Sequence, residues 1–106
     1  PEFSPLALDP IRSGLFDQAM MLDLAVLAWS PLAGGRIAEP WDARSQEVAG
    51  LLDRKAEEAG VNRSAAALSW IMAHPARPIP IVGTQRPERI VEVGQALSPR
   101  WTRAEW

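Results

Sequence analysis

Cysteine and tyrosine are both absent from these 106 residues, histidine occurs once, at position 74, and lysine once, at position 55. Without cysteine there is no disulfide frame, no thiolate nucleophile and no cysteine-ligated metal. A single histidine excludes a multi-histidine metal site, and the lack of tyrosine excludes a tyrosine acid from this stretch of chain. No apolar run approaches the ~18–20 residues of a membrane span, and no charged start leads into a signal-type apolar core. Nor is there an excess of one charge: 11 basic and 13 acidic side chains give a net charge of −2, which is no footprint for bulk nucleic-acid binding. What is present is globular in proportion. Hydrophobic residues make up 47% and charged residues 23%, with 10 prolines and 7 glycines, enough for one small domain and against disorder, collagen or coiled coil.

Asp9-Pro10 predicts a helix start, a capping carboxylate followed by proline at the first helical position. Ile11, Leu15, Phe16, Ala19 and Met20 then form one apolar stripe, which Gly14 weakens slightly. Leu24 to Trp29 is a continuous apolar run whose length suits a strand buried on both faces. The turn Ser30 to Arg36 ends it, and residues 37–42 read as loop. A second helix carries Val48, Leu51, Leu52, Ala56 and Ala59 on one face, with Gly60 placed to cap it in the left-handed conformation. Asn62 is placed to cap a third helix with Ala66, Ala67, Trp70 and Ile71, which Pro75 stops. Ile79 to Val82 is a short strand candidate, its prolines 78 and 80 tolerable only at a strand's entrance. Pro87 opens a fourth helix with Ile90, Val93 and Leu97 inward.

The class is therefore α/β with parallel strands. Two such strands would leave both sheet edges bare, so the pattern reads as part of a larger sheet. The ends suggest the same. Pro1 to Pro5 reads as the exit of an extended segment. Thr102-Arg103-Ala104-Glu105 has the spacing of a capping box and announces a helix of at least two further turns, a frayed tail being the alternative.

Chemistry has two places to sit. At the carboxyl end of the first strand, Trp29 offers a ring for stacking, Ser30 and the glycine-exposed amides offer donors for phosphates, and Arg36 offers charge. A tight glycine-rich exit around a core tryptophan has the same composition. At the end of the second strand, Gly83-Thr84-Gln85-Arg86 leads into the helix opened by Pro87, where free N–H groups, a hydroxyl, Arg86 and Arg89 suit an anion such as a 2′-phosphate. An ordinary capped surface helix with solvated arginines is the alternative. Elsewhere, Lys55 reads as part of a solvated helix face, and Glu57-Glu58 as solvent charge. His74 reads as a partner of a helix C-terminus, and Trp70 as packing between helix and sheet. Trp41 either covers apolar surface or walls a substrate pocket.

These two segments, about fifty residues apart, resemble the C-terminal part of an aldo-keto reductase. The family's last two barrel strands end in W/Y-S-P/A-L-x-x-G and in I-x-G/K-S/T followed by R-I/L-x-E-N. Here they read Trp29-Ser30-Pro31-Leu32-Ala33-Gly34 and Ile81-Val82-Gly83-Thr84, then Arg89-Ile90 and Glu92. Between them, Val61-Asn62 through Trp70 resembles the family's V-S-P-A-Q-V-A-L-R-W helix. The resemblance covers essentially the whole chain, and Gly34-Gly35-Arg36 is more like the bacterial oxidoreductase branch than the mammalian reductases.

The resemblance implies a (β/α)₈ barrel of which residues 1–106 are the C-terminal fragment, about the last two to three βα units, incomplete alone. It implies reduction of aldehydes and ketones with NADPH in a cytoplasmic protein that takes a small-molecule carbonyl substrate and no nucleic acid, membrane or metal. It implies that Trp29 meets the nicotinamide and that Ser30, Pro31, Leu32, Gly34 and Arg36 run along the pyrophosphate. Gly83, Thr84, Gln85, Arg89 and Glu92 match the segment holding the adenosine and its 2′-phosphate. Val93 departs from the pattern, standing where the family usually has an asparagine for the adenine. The family's catalytic Asp, Tyr, Lys and His lie upstream of the matching region, so the chain contributes no catalytic residue. A regulatory NADPH-binding subunit on the same barrel, like the potassium-channel β subunits, and a non-functional fragment are the alternatives.

Overall fold

In a computed structural model the described residues are 1–81 and 94–106. Helices α1 (Asp9–Arg12) and α2 (Leu15–Met21) precede strand β1 (Leu27–Ala28), and α3 (Ala43–Ala59) and α4 (Arg63–Met72) precede strand β2 (Ile79–Pro80). Single 3₁₀ turns occupy Ala33–Gly35 and Gln95–Leu97. The helix expected from Asp9 to Met20 is broken at Gly14, whose φ of 80° is cheap only for glycine and lets the chain restart as α2. Asp9 does not cap: it is the first helical residue, and the N-cap position is Leu8 with no side-chain bond.

The strands are parallel, with Leu27 opposite Ile79 and Ala28 opposite Pro80. Ile79 and Ile81 donate to the carbonyls of Val26 and Ala28 at 2.7 and 2.9 Å. That alternation explains Pro80 inside the strand: the residue that cannot donate occupies the position whose N–H would face away from β1. On β1's other side, Phe3 N–H donates to Trp29 O at 3.2 Å and Trp29 N–H to Pro1 O at 3.0 Å. Three extended segments thus lie side by side in chain order, Pro1–Phe3, β1, β2.

The described residues cover the first strand on one face. Val26 and Ala28 are buried, whereas Leu24, Leu27 and Trp29 are more than half exposed. The helices cover one face only. That face carries a cluster of Phe3, Phe16, Ala19, Val26, Trp70 and Ile71, while Leu6, Ile37, Leu52, Ala56, Ala66 and Ala67 form a second cluster between α3 and α4. α4 is buried from Ala65 to Ile71, which is why it is small and apolar almost all round.

Both sequence-predicted caps between these helices form. Gly60 closes α3 at φ 70°, and the Asn62 side chain accepts from Ala65 N–H at 2.8 Å. Arg63 ties the pair together, clamping both carboxylate oxygens of Asp53 at 2.7 and 2.8 Å and donating to Ile37 O at 3.0 Å. Leu51 and Leu97, expected inward, are exposed. Leu97 lies in a 3₁₀ turn whose one inward side chain is Ala96. The rest of the helix expected after Pro87 lies outside the described residues.

Lys55 is the largest departure from expectation. It is 4% exposed, not solvated, and its ammonium donates to Arg100 O at 2.7 Å and Glu105 Oε2 at 2.8 Å, 5.0 Å from the centre of the Trp101 ring. It lies on the same helical face as Val48, Leu52 and Ala59, and only its charge argued for solvent; the C-terminal segment folds back over that position and supplies the acceptors. The capping box there does form, for one turn: Thr102 N–H donates to Glu105 Oε1 and Glu105 N–H to Thr102 Oγ1. His74 is likewise not a cationic partner of a helix end. Its Nδ1 accepts from Ala76 N–H at 3.0 Å, and burial against Phe16 and Trp106 lowers its pKa, the charge of Asp17 opposing weakly.

Candidate functional site: the loop after the first strand

β1 delivers Trp29 to its carboxyl end with the indole 52% exposed, on the face the helices leave open. The backbone then turns sharply. Ser30 and Ala33 have φ of 48° and 57°, positions that cost a non-glycine residue, and Gly34 and Gly35 follow at 62° and 94°. The turn is held by Ala33 N–H to Ser30 O at 2.9 Å, Arg36 N–H to Ala33 O at 3.2 Å and Ile37 N–H to Leu32 O at 3.3 Å. Pro31 and Ala33 are buried and Leu32 half-buried, so the loop is anchored from below. Around Gly34 and Gly35 nothing lies within 4 Å of where a Cβ would stand, which leaves their backbone approachable.

Arg36 is fixed on two sides. Its Nη2 donates to Asp42 Oδ2 at 2.7 Å, and its guanidinium carbon lies 5.6 Å from the centre of the Trp41 ring. Its Nε is buried without a hydrogen-bond partner. An orphaned donor of a permanently charged group on a glycine-rich turn fits an anionic ligand, since an unmet buried donor costs about 1–3 kcal/mol. Trp41 is 66% exposed and, among the described residues, lies by Arg36 and in none of the core clusters.

Asp42 was not singled out by sequence reasoning, although the spacing Asp42-x-x-Ser45 is that of a reciprocal cap. Its Oδ1 accepts from Ser45 N–H at 2.8 Å, its own N–H donates to Ser45 Oγ at 3.2 Å, and the Ser45 hydroxyl bonds the same carboxylate. The Ser45 hydrogen bonds first, and the charge of Arg36 after them, hold the Asp42 carboxyl below its ordinary range.

Ile81 N–H is bonded to Ala28 O, one residue before Trp29, so the last described residue before the second candidate segment lies beside the start of the Trp29 loop. Gly83, Thr84, Gln85, Arg89 and Glu92 themselves lie outside the described residues, as do Arg86 and Val93. On the open face, Leu15, Leu24, Leu27, Trp29 and Ile81 border an apolar cleft of about 360 Å³. Among the described residues there is no group of His, Asp or Glu able to hold a metal, and no helix long and apolar enough to cross a membrane.

Parallel segments adjacent in chain order, with helices on one face of the described residues and a glycine-rich loop at the strands' carboxyl ends, define part of an α/β barrel. The sequence profile of the aldo/keto reductase family matches residues 1–106, and the chain belongs to that family. It is 53% identical over 106 residues to 6-dehydroglucose reductase of Novosphingobium aromaticivorans, covering 100% of this chain and 35% of that protein. It is 32% identical to 6-dehydroglucose reductase of Agrobacterium fabrum and 32% to the oxidoreductase YdhF of Escherichia coli, covering 34% and 35% of those proteins. The chain thus spans about a third of the length of these relatives. A crystal structure of the thermostable aldo-keto reductase Tm1743 with the inhibitor epalrestat superimposes with a TM-score of 0.75 at 23% identity, over 98% of this chain and 35% of that one. The fold is part of a (β/α)₈ barrel, as expected. Exposure of Leu27 and Trp29 follows from it, because the face of a barrel strand opposite the helices is the barrel interior.

Proposed function

We propose that residues 1–106 form the cofactor-binding C-terminal part of a cytoplasmic, NADPH-dependent reductase of aldehydes and ketones. The observation that carries this is the Trp29–Arg36 loop: an exposed indole, an approachable glycine backbone and a charged donor without an acceptor, in order along one strand exit. Trp29 would stack on the nicotinamide ring. Ser30, Pro31, Leu32, Gly34 and Arg36 would line the pyrophosphate. Gly83, Thr84, Gln85, Arg89 and Glu92 would hold the adenosine and its 2′-phosphate. When bound, NADPH supplies hydride to a carbonyl carbon. Proton donation belongs to groups this chain lacks, since it has no tyrosine. The partner is a small carbonyl compound, for which the name of the 53% identical relative points to a sugar-derived one.

The test is a fluorescence titration with NADPH in the protein and in its Trp29→Ala variant. NADPH should quench the wild-type emission, and the variant should bind about 1–2 kcal/mol more weakly, the scale of ring stacking plus lost area. Unchanged affinity would remove Trp29 from the site. Turnover of a simple aldehyde by the full-length chain separates the enzyme from a regulatory subunit that only senses NADPH.

A further inference from the structure

One carboxylate joins the cofactor loop to the helix behind it. Asp42 Oδ2 holds Arg36, while Asp42 Oδ1 caps α3 through Ser45 N–H. The two jobs use different oxygens, so the cap orients the carboxylate and the carboxylate orients the guanidinium. Ser45 is fully buried, and α3 is anchored along its length by Leu52, Ala56 and Lys55, which makes its N-terminus a fixed point. The exposed Trp41 ring closes one flat side of the guanidinium, and the Asp42 bond takes one Nη2 hydrogen. Nε is left buried and unpartnered.

We propose that Asp42 is a positioning residue: it locks Arg36 in place before the nucleotide arrives, so that the remaining guanidinium donors meet the pyrophosphate without first losing side-chain freedom. This rests on the cofactor reading above. An arginine side chain is among the costliest to immobilise, and one fixed in advance by an ion pair and a stacked ring has that cost met in the fold. The arrangement is distinct from a direct contact, because Asp42 is itself an anion and would repel the phosphates it serves.

Asp42→Asn tests this, since asparagine caps as well as aspartate but cannot ion-pair with Arg36. In the free protein, amide exchange at Ala33, Arg36 and Ile37 should speed up, while Tm and exchange in the first turns of α3 stay near wild type. NADPH binding by fluorescence titration should weaken roughly three- to tenfold. Ser45→Ala, which removes part of the cap and leaves the ion pair, should lower Tm and keep NADPH affinity. Unchanged loop exchange in Asp42→Asn, or unchanged NADPH affinity, overturns the role of Asp42 and leaves the cofactor reading standing. An affinity loss in Ser45→Ala equal to that in Asp42→Asn overturns it too, because the ion pair with Arg36 is intact in Ser45→Ala. A wild-type protein that binds neither NADPH nor NADH overturns the cofactor reading, and the positioning role with it.

Discussion

The indole rings of Trp70 and Trp106 lie 4.3 Å apart and 4° from parallel, and each Nε1–H donates to the other residue's main-chain carbonyl, at 3.1 and 2.7 Å. Two rings that satisfy each other's polar edge while stacking their apolar faces can seal a core without leaving a buried donor unmet. Trp70 is buried on α4 with its ring 5.2 Å from that of Phe3, so the C-terminal segment is fastened to the same cluster that supports β1.

Trp106→Ala should therefore destabilise the protein by about 2–3 kcal/mol, from lost area, lost stacking and the lost bond from Trp106 Nε1–H to the Trp70 carbonyl. Trp106→Phe keeps the stack and should lose less than half of that. Thermal melts compare the two. Near-ultraviolet circular dichroism should lose the signal of the paired indoles in Trp106→Ala.

Lys55 and Glu105 make the same attachment dependent on pH. Glu105 is held at about 2, below its ordinary 4.5, chiefly by the Lys55 hydrogen bond and then by those from Thr102. A depressed carboxyl contributes stability that is present above its unfolded pKa and lost as pH falls through the folded one, here from about 4.5 down to about 2. The Lys55 pKa is raised above 10.5, chiefly by Glu105, so its contribution is complete below that value and disappears as pH climbs beyond it. Acrylamide quenching of the tryptophans should be lowest between those limits and increase on both sides. Lys55→Met should flatten the acid limb.

Arg89→Ala bears on the choice of cofactor. A 2′-phosphate held by Thr84 and Arg89 would lose one charge-assisted bond, worth about 1.5–3 kcal/mol, so NADPH should bind roughly ten- to hundredfold more weakly and NADH nearly as before. Paired titrations of both nucleotides against wild type and variant measure it. Equal losses would assign Arg89 a structural role.

The open face predicts behaviour in solution. Leu24, Leu27, Trp29, Ile79 and Ile81 are each about half exposed along two parallel strands. As a 106-residue polypeptide the chain should self-associate or pack poorly, and Leu27→Glu should reduce association in sedimentation velocity. A sharp two-state melt from a monomer would contradict this.

Local chemistry made much of the fold legible. Gly60 and Asn62 punctuate α3 and α4 where expected, because a left-handed residue and a side-chain acceptor act on their own neighbours within three residues. The α/β class and the two strands were readable for a similar reason, as apolar runs ending in glycine turns. The Trp29–Arg36 loop was found from its composition, and its sharpness from Gly34 and Gly35.

What sequence could not supply depends on which distant segment comes to lie alongside. Lys55 is a cation on the apolar face that Val48, Leu52 and Ala59 define, read as solvated for its charge, and only Glu105, fifty residues on, and the carbonyl of Arg100 make it a buried cation with its hydrogen bonds met. Whether a strand is buried on one face or two is settled by the layers around it, so the run Leu24 to Trp29 could not show which side the helices cover. Asp42 shows both levels in one residue. The three-residue spacing to Ser45 determines the cap, because that contact closes within one helical turn. The bond to Arg36 needed the folded loop, since only the left-handed turn at Ala33, Gly34 and Gly35 brings the guanidinium back to the head of α3.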